Sequence, residues 1–130
     1  MPIARGPFDV KLEPLQPYAA AESEMLGRRS IDKRFHGDLE ATSKGEMLSA
    51  GTRTKGSAGY VAIERVTGTL HGRRGSFVLQ HDGTMTRGAP ELTVRVVPDS
   101  GTGELGGLAG SMRIIVEPGK HSYEIDYTLG

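Results

Sequence analysis

Apolar and polar residues alternate along most of this chain with the period of two that marks a β-strand. Phe8, Val10 and Leu12 share one side, Asp9, Lys11 and Glu13 the other, and the run ends near Pro14. Similar extended runs return in Ser30 to His36, Leu39 to Leu48, Tyr60 to Leu70, Ser76 to Met85, Leu92 to Val97, Ser111 to Val116 and His121 to Leu129. Turn-forming stretches separate them: Gly37–Asp38, TRTKGSAG at 52–59, HGRRG at 71–75, RGAP at 87–90, the Gly-rich 98–107 and EPGK at 117–120. The stretch 16–27, with AAAESEML inside it, reads as a short helical turn or an ordered loop. About eight strands with no helix longer than two turns predict an all-β sandwich or barrel. The last run, HSYEIDYTL, is long and well formed, which suits a strand that closes a sheet on itself. A closed antiparallel eight-stranded β-barrel is therefore expected, because closure removes exposed edges. One domain spans residues 1–130, with a looser N-terminal strand and loop over 1–28.

Composition sharpens this picture in a few places. Nineteen glycines among 130 residues is about twice ordinary usage, and their scatter beside Thr, Val and Ile again favours turns and bulges in an all-β domain. Sixteen Lys plus Arg balance sixteen Asp plus Glu, so no basic excess points to nucleic acid or anionic lipid. There is no Cys, which excludes disulfides and thiolate metal sites. No signal-peptide core and no membrane-length apolar run is present, so a soluble cytoplasmic domain is expected. With no Trp and few aromatics, a ligand pocket would be lined mainly by aliphatic side chains, Met and a few Tyr or Phe.

Familiar motifs carry little. GTGELG at 101–106 matches G-x-G-x-x-G, but a further Gly-rich stretch and a strand follow it where a dinucleotide site needs a helix. It reads as a turn or bulge. The four histidines, His36, His71, His81 and His121, include no H-x-H pair, and no metal or cofactor is expected. The charges of RSIDKRF and HGRRG read as solvent-facing.

The stronger signal is polar residues on faces that ought to be buried. Tyr60, Ala62, Glu64 and Val66 share one face of the longest run, and Val61, Ile63 and Arg65 share the other. A small barrel must bury one of these faces, so either Glu64 or Arg65 lies inside or at a rim. His81 shares a face with Phe77 and Leu79 and is expected where that strand reaches the barrel mouth. His121, Tyr123, Ile125 and Tyr127 form one face of the last run, and Glu46 stands two residues from Leu48. If these faces converge, the lumen holds Glu64, His81 and Tyr123, with Glu46 and His121 as further candidates. A carboxylate buried there would have a raised pKa and could act as a general base.

Four stretches carry a resemblance to a known family. RSIDKRFHGDLEATSKGEML, GSAGYVAIERVTGTLHGRRGSFVLQHDGTM, VVPDSGTGELGGLAGSM and GKHSYEIDYTL, in that order, resemble the bacterial domain-of-unknown-function family 3224 from Arg29 to Leu129. That family is similar in fold to plant allene oxide cyclases, which are small antiparallel barrels with a lipocalin-like cavity. GTGELGGLAGSM resembles the Gly-rich strand entry of those cyclases, and HGDLE resembles their turn. The resemblance implies the barrel and a homo-oligomer. The cyclases carry a Glu on an early strand, where this chain has Glu13, but the cyclase motif around it is absent and no catalytic role is carried over.

Two functional expectations follow. In the first, the barrel binds a small apolar or amphipathic molecule, with or without cyclase- or isomerase-like activity; Glu64 is its polar anchor or base, and His81 and Tyr123 orient it. In the second, the core is filled, Glu64 and His81 are satisfied structurally, and the barrel is a structural or protein-interaction module.

Overall fold

The computed structural model describes residues 2–18 and 25–130. Eight strands, β1 (Ile3–Leu15), β2 (Leu26–Phe35), β3 (Leu39–Gly51), β4 (Ala58–Leu70), β5 (Arg73–Thr86), β6 (Ala89–Val96), β7 (Leu108–Glu117) and β8 (Lys120–Leu129), follow one another around a closed antiparallel barrel. β1 closes it by pairing with β8 through Ile3–Pro7 and with β2 through Phe8–Leu15. The strands are longer than the alternation alone marks. β1 begins at Ile3, where ARGP interrupts the pattern, because β8 supplies hydrogen-bond partners to a segment of poor strand propensity. GTGELG becomes a turn of 3₁₀ helix at Gly103–Leu105, not a nucleotide loop. The expected helical turn in AAAESEML lies largely outside the described residues. No described helix is long and apolar enough to cross a membrane.

The two ends of the barrel differ. At one end are the β2–β3 turn, the His71–Gly72 turn and the 97–107 connection, whose Leu105 is buried against the core. That end is packed solid by Phe35, Leu39, Leu70, Phe77, Leu108 and Tyr127, with the rest of the apolar core around them. At the other end, the mouth, lie the β3–β4, β5–β6 and β7–β8 turns and the β1–β2 connection, whose residues 19–24 are outside the described residues. The β6–β7 ladder holds only Val94↔Met112 and Arg95↔Ser111, and β8 leaves β1 beyond Ser122. The β7–β8 hairpin tip is therefore not laddered to either neighbouring strand at the mouth.

Cross-strand register arranges the interior in rows. One row runs Lys33, Ser43, Val66, Phe77; the next towards the mouth runs Ile31, Gly45, Glu64, Leu79, Val96. Then come Arg29, Met47, Ala62, His81, Val94, and last Gly27, Ser49, Tyr60, Gly83, Leu92. Residues opposite each other point to the same side of a sheet, so Glu64 faces inward and Arg65 outward, where its guanidinium donates to the Ser76 hydroxyl at 3.2 Å.

Candidate functional site

A diagonal of polar side chains crosses these rows from the packed end towards the mouth. Glu64 is 0% exposed. Lys33 Nζ donates to its Oε2 at 2.8 Å, His81 Nε2 lies 2.6 Å from the same oxygen, and Ser43 Oγ donates to Oε1 at 2.6 Å. The Lys33 ammonium also sits 5.2 Å from the Phe8 ring centroid and 5.7 Å from that of Phe35, within reach of a cation–π attraction. On the other side of His81, Nδ1 lies 3.3 Å from the Tyr60 hydroxyl. Among the described residues no buried side-chain nitrogen or oxygen lacks a hydrogen-bond partner.

Two glycines make room for this arrangement. A Cβ at Gly45 would stand 2.6 Å from Glu64 Cα and 2.0 Å from the Ile63 carbonyl oxygen, so the β3–β4 contact behind the carboxylate is open only to glycine. A Cβ at Gly83 would stand 2.5 Å from Tyr60 Cε1. With no side chain there, the Tyr60 ring lies across β5 and its hydroxyl reaches His81.

The electrostatics reverse one sequence-based expectation. Burial pushes the Glu64 carboxyl upward, but the hydrogen bond from His81, the charge and hydrogen bond of Lys33 and the Ser43 hydroxyl together outweigh it. They hold the carboxyl well below its ordinary value, at about 2. The expected raised pKa is therefore wrong, and Glu64 is a fully partnered carboxylate at neutral pH rather than a base awaiting a proton. Burial, together with the Glu64 charge, raises the Tyr60 phenol. Because the ionised carboxylate only accepts, His81 Nε2 carries the proton that points to it. With Nε2–H directed at Glu64, Nδ1 is the ring nitrogen that faces the Tyr60 hydroxyl, and in the neutral tautomer it accepts the Tyr60 O–H.

Tyr60 is half-buried and forms part of the wall of a cavity of about 480 Å³ among the described residues at the mouth. Met47, Ser49, Met85 and Leu92 line it beside Tyr60, and Arg29 and Glu91 bring one charge of each sign. Its size lies within the range of roughly 300–1,000 Å³ usual for small-molecule pockets.

Of the candidates read from the sequence, only Glu64 and His81 come together. His81 is not at the mouth: β5 runs on to Thr86, and the imidazole is 4% exposed, midway along the barrel. Tyr123 is buried at the packed end, where its hydroxyl accepts the Leu39 N–H at 2.9 Å and donates to the His36 carbonyl at 2.6 Å. Burial leads in raising its pKa to about 12. Glu46 lies on the outer wall in an ion pair with Arg28 at 2.7 Å. The inward positions of β3 are the odd ones, and Leu48 is also outward, so its apolar character misleads. His121 is exposed near the tip of the β7–β8 hairpin, beside Phe8 with ring centroids 5.4 Å apart. Glu13 is exposed and pairs with Lys11 at 2.9 Å.

Three members of the cluster are not among the candidates that the sequence singles out. Lys33 stands in RSIDKRF, whose charges read as solvent-facing, although it shares a face with Ile31 and Phe35, which is signal enough. Ser43 gives no signal beyond its parity with Leu39 and Ala41. Tyr60 stands on the Glu64 face, four residues away, and its place beside His81 follows only from the β4–β5 register.

Comparison with known proteins agrees with this architecture. The profile of the family described as "Protein of unknown function (DUF3224)" matches residues 4–127. The chain belongs to this family. A crystal structure of a DUF3224 protein of unknown function from Shewanella oneidensis MR-1 is 56% identical, covers 100% of this chain and 98% of its own, and superposes with a TM-score of 0.95. No curated protein matches the chain.

Proposed function

We propose that this DUF3224 barrel binds a small, largely apolar molecule at its mouth, with Tyr60 as the polar contact. The observation that carries this reading is a cavity of about 480 Å³ walled by Met47, Met85 and Leu92 and reached by a tyrosine that is hydrogen-bonded to the buried His81–Glu64 pair. Methionines suit an apolar guest because they repack around irregular shapes. Glu64 does not touch the guest in this reading; it acts through His81 and Tyr60. Native mass spectrometry of freshly purified protein, with Met47→Trp as a variant that fills the mouth, tests it. A retained small molecule, or a titrated apolar dye, is expected on the wild type and not on Met47→Trp. Equal uptake by both proteins, or none by the wild type, would refute it.

A specific observation favours a second reading, interaction with another protein chain. Leu48, Val61 and Ile63, exposed by 54, 52 and 50%, stand together on the outer wall of β3 and β4 beside the Arg28–Glu46 pair. Half-exposed apolar neighbours of this kind mark contact surfaces. In this reading they join copies of the chain into a homo-oligomer. Sedimentation of wild type against Val61→Lys/Ile63→Lys decides it: a monomeric wild type ends it, and dissociation by the paired substitution supports it.

A further inference from the structure

The polar diagonal constrains which kind of molecule the mouth can take. Glu64 accepts hydrogen bonds from three donors and gives none. His81 therefore points Nε2–H at Glu64 and offers Nδ1 as an acceptor, and a neutral imidazole has no third option. The Tyr60 hydroxyl, 3.3 Å from Nδ1, spends its only proton there. What remains of the Tyr60 oxygen is lone-pair capacity. The remaining charges of the cavity, Arg29 and Glu91, are of opposite sign and give it no net preference for an ion.

On this basis we infer that the mouth selects apolar molecules carrying a hydroxyl or N–H group, which donate a hydrogen bond to the Tyr60 oxygen. This rests on the cavity being a binding site. Tyr60 is then the contact residue, and His81 and Glu64 are positioning residues that fix the direction of its proton. An ether or hydrocarbon of the same shape would occupy the same walls and leave the phenol oxygen unmatched. The discrimination comes from one hydrogen bond, so it is modest, about five-fold in affinity.

The test compares 2-naphthol with 2-methoxynaphthalene, titrated by fluorescence into the wild type and Tyr60→Phe. In the wild type, 2-naphthol should bind about five-fold more tightly, and in Tyr60→Phe the two probes should bind alike. Equal affinities in the wild type, or a preference that survives Tyr60→Phe, overturn the inference and leave cavity binding intact. Failure of both probes to bind overturns the cavity reading itself. A second measurement needs no variant to fold: nitrogen NMR of His81 in the wild type should find Nε2 protonated and Nδ1 bare. A protonated Nδ1 at neutral pH overturns the proposed polarity.

Discussion

The buried carboxylate makes a quantitative claim about acid stability. The partners of Glu64 lower its pKa from an ordinary 4.5 to about 2 in the folded chain. One pKa unit corresponds to about 1.4 kcal/mol, so the drop amounts to about 3 kcal/mol. A group depressed in the folded state contributes stability that is fully present above its unfolded pKa and is lost as pH falls through the folded one. The window here runs from 4.5 down to about 2. Glu64→Gln keeps the shape, removes the titration, and sets an amide against the Lys33 ammonium. The variant should be several kcal/mol less stable near neutral pH, because it leaves a buried ammonium without its counter-charge. The gap should then shrink by up to about 3 kcal/mol on acidification. Urea unfolding of both proteins at a series of pH values from neutral to the lowest at which both still fold measures this. All other carboxylates, including the exposed Glu46 that Arg28 also holds low, are common to both proteins and cancel in the difference. Stability curves that run parallel from neutral pH down would show that Glu64 is not held ionised by its partners, and the assigned His81 tautomer would fall with that.

Other outcomes follow from the same contacts. Lys33→Met should cost about 3–5 kcal/mol by stranding the Glu64 charge, whereas Lys33→Met/Glu64→Leu/His81→Leu should recover most of it; denaturant midpoints compare them. Gly83→Ala places a Cβ 2.5 Å from the Tyr60 ring and should destabilise by about 1–3 kcal/mol, as overpacking does, while abolishing the 2-naphthol preference. Tyr123→Phe removes the hydroxyl that joins Leu39 N–H and the His36 carbonyl and should cost about 1–3 kcal/mol, read as a lower melting temperature. In an ultraviolet titration the Tyr123 phenol should ionise only at about pH 12 or on unfolding.

Much of this protein is written in its local pattern. Alternation locates the eight strands, and HG at 71–72 and RG at 87–88 fall at turns between them, with His71 and Arg87 at positive φ. These features depend on neighbours within a few residues, which the chain displays directly. The period of two also puts Glu64 on one side with Tyr60, and Arg65 on the other with Val61 and Ile63. It does not say which set faces inward, because both faces of β4 mix apolar side chains with one charge. Only closure of the barrel decided that, through cross-strand register: Glu64 inward met Lys33, Ser43 and His81, and Val61 and Ile63 were left outside. Register also moved His81 from a rim to the middle, sent Tyr123 to the packed end, and put Glu46 on the outer wall. The sign of the Glu64 pKa shift belongs to the tertiary structure for the same reason. Burial is a property of the face, which alternation suggests, but the partners that outweigh it come from β2, β3 and β5, up to 31 residues away in the chain.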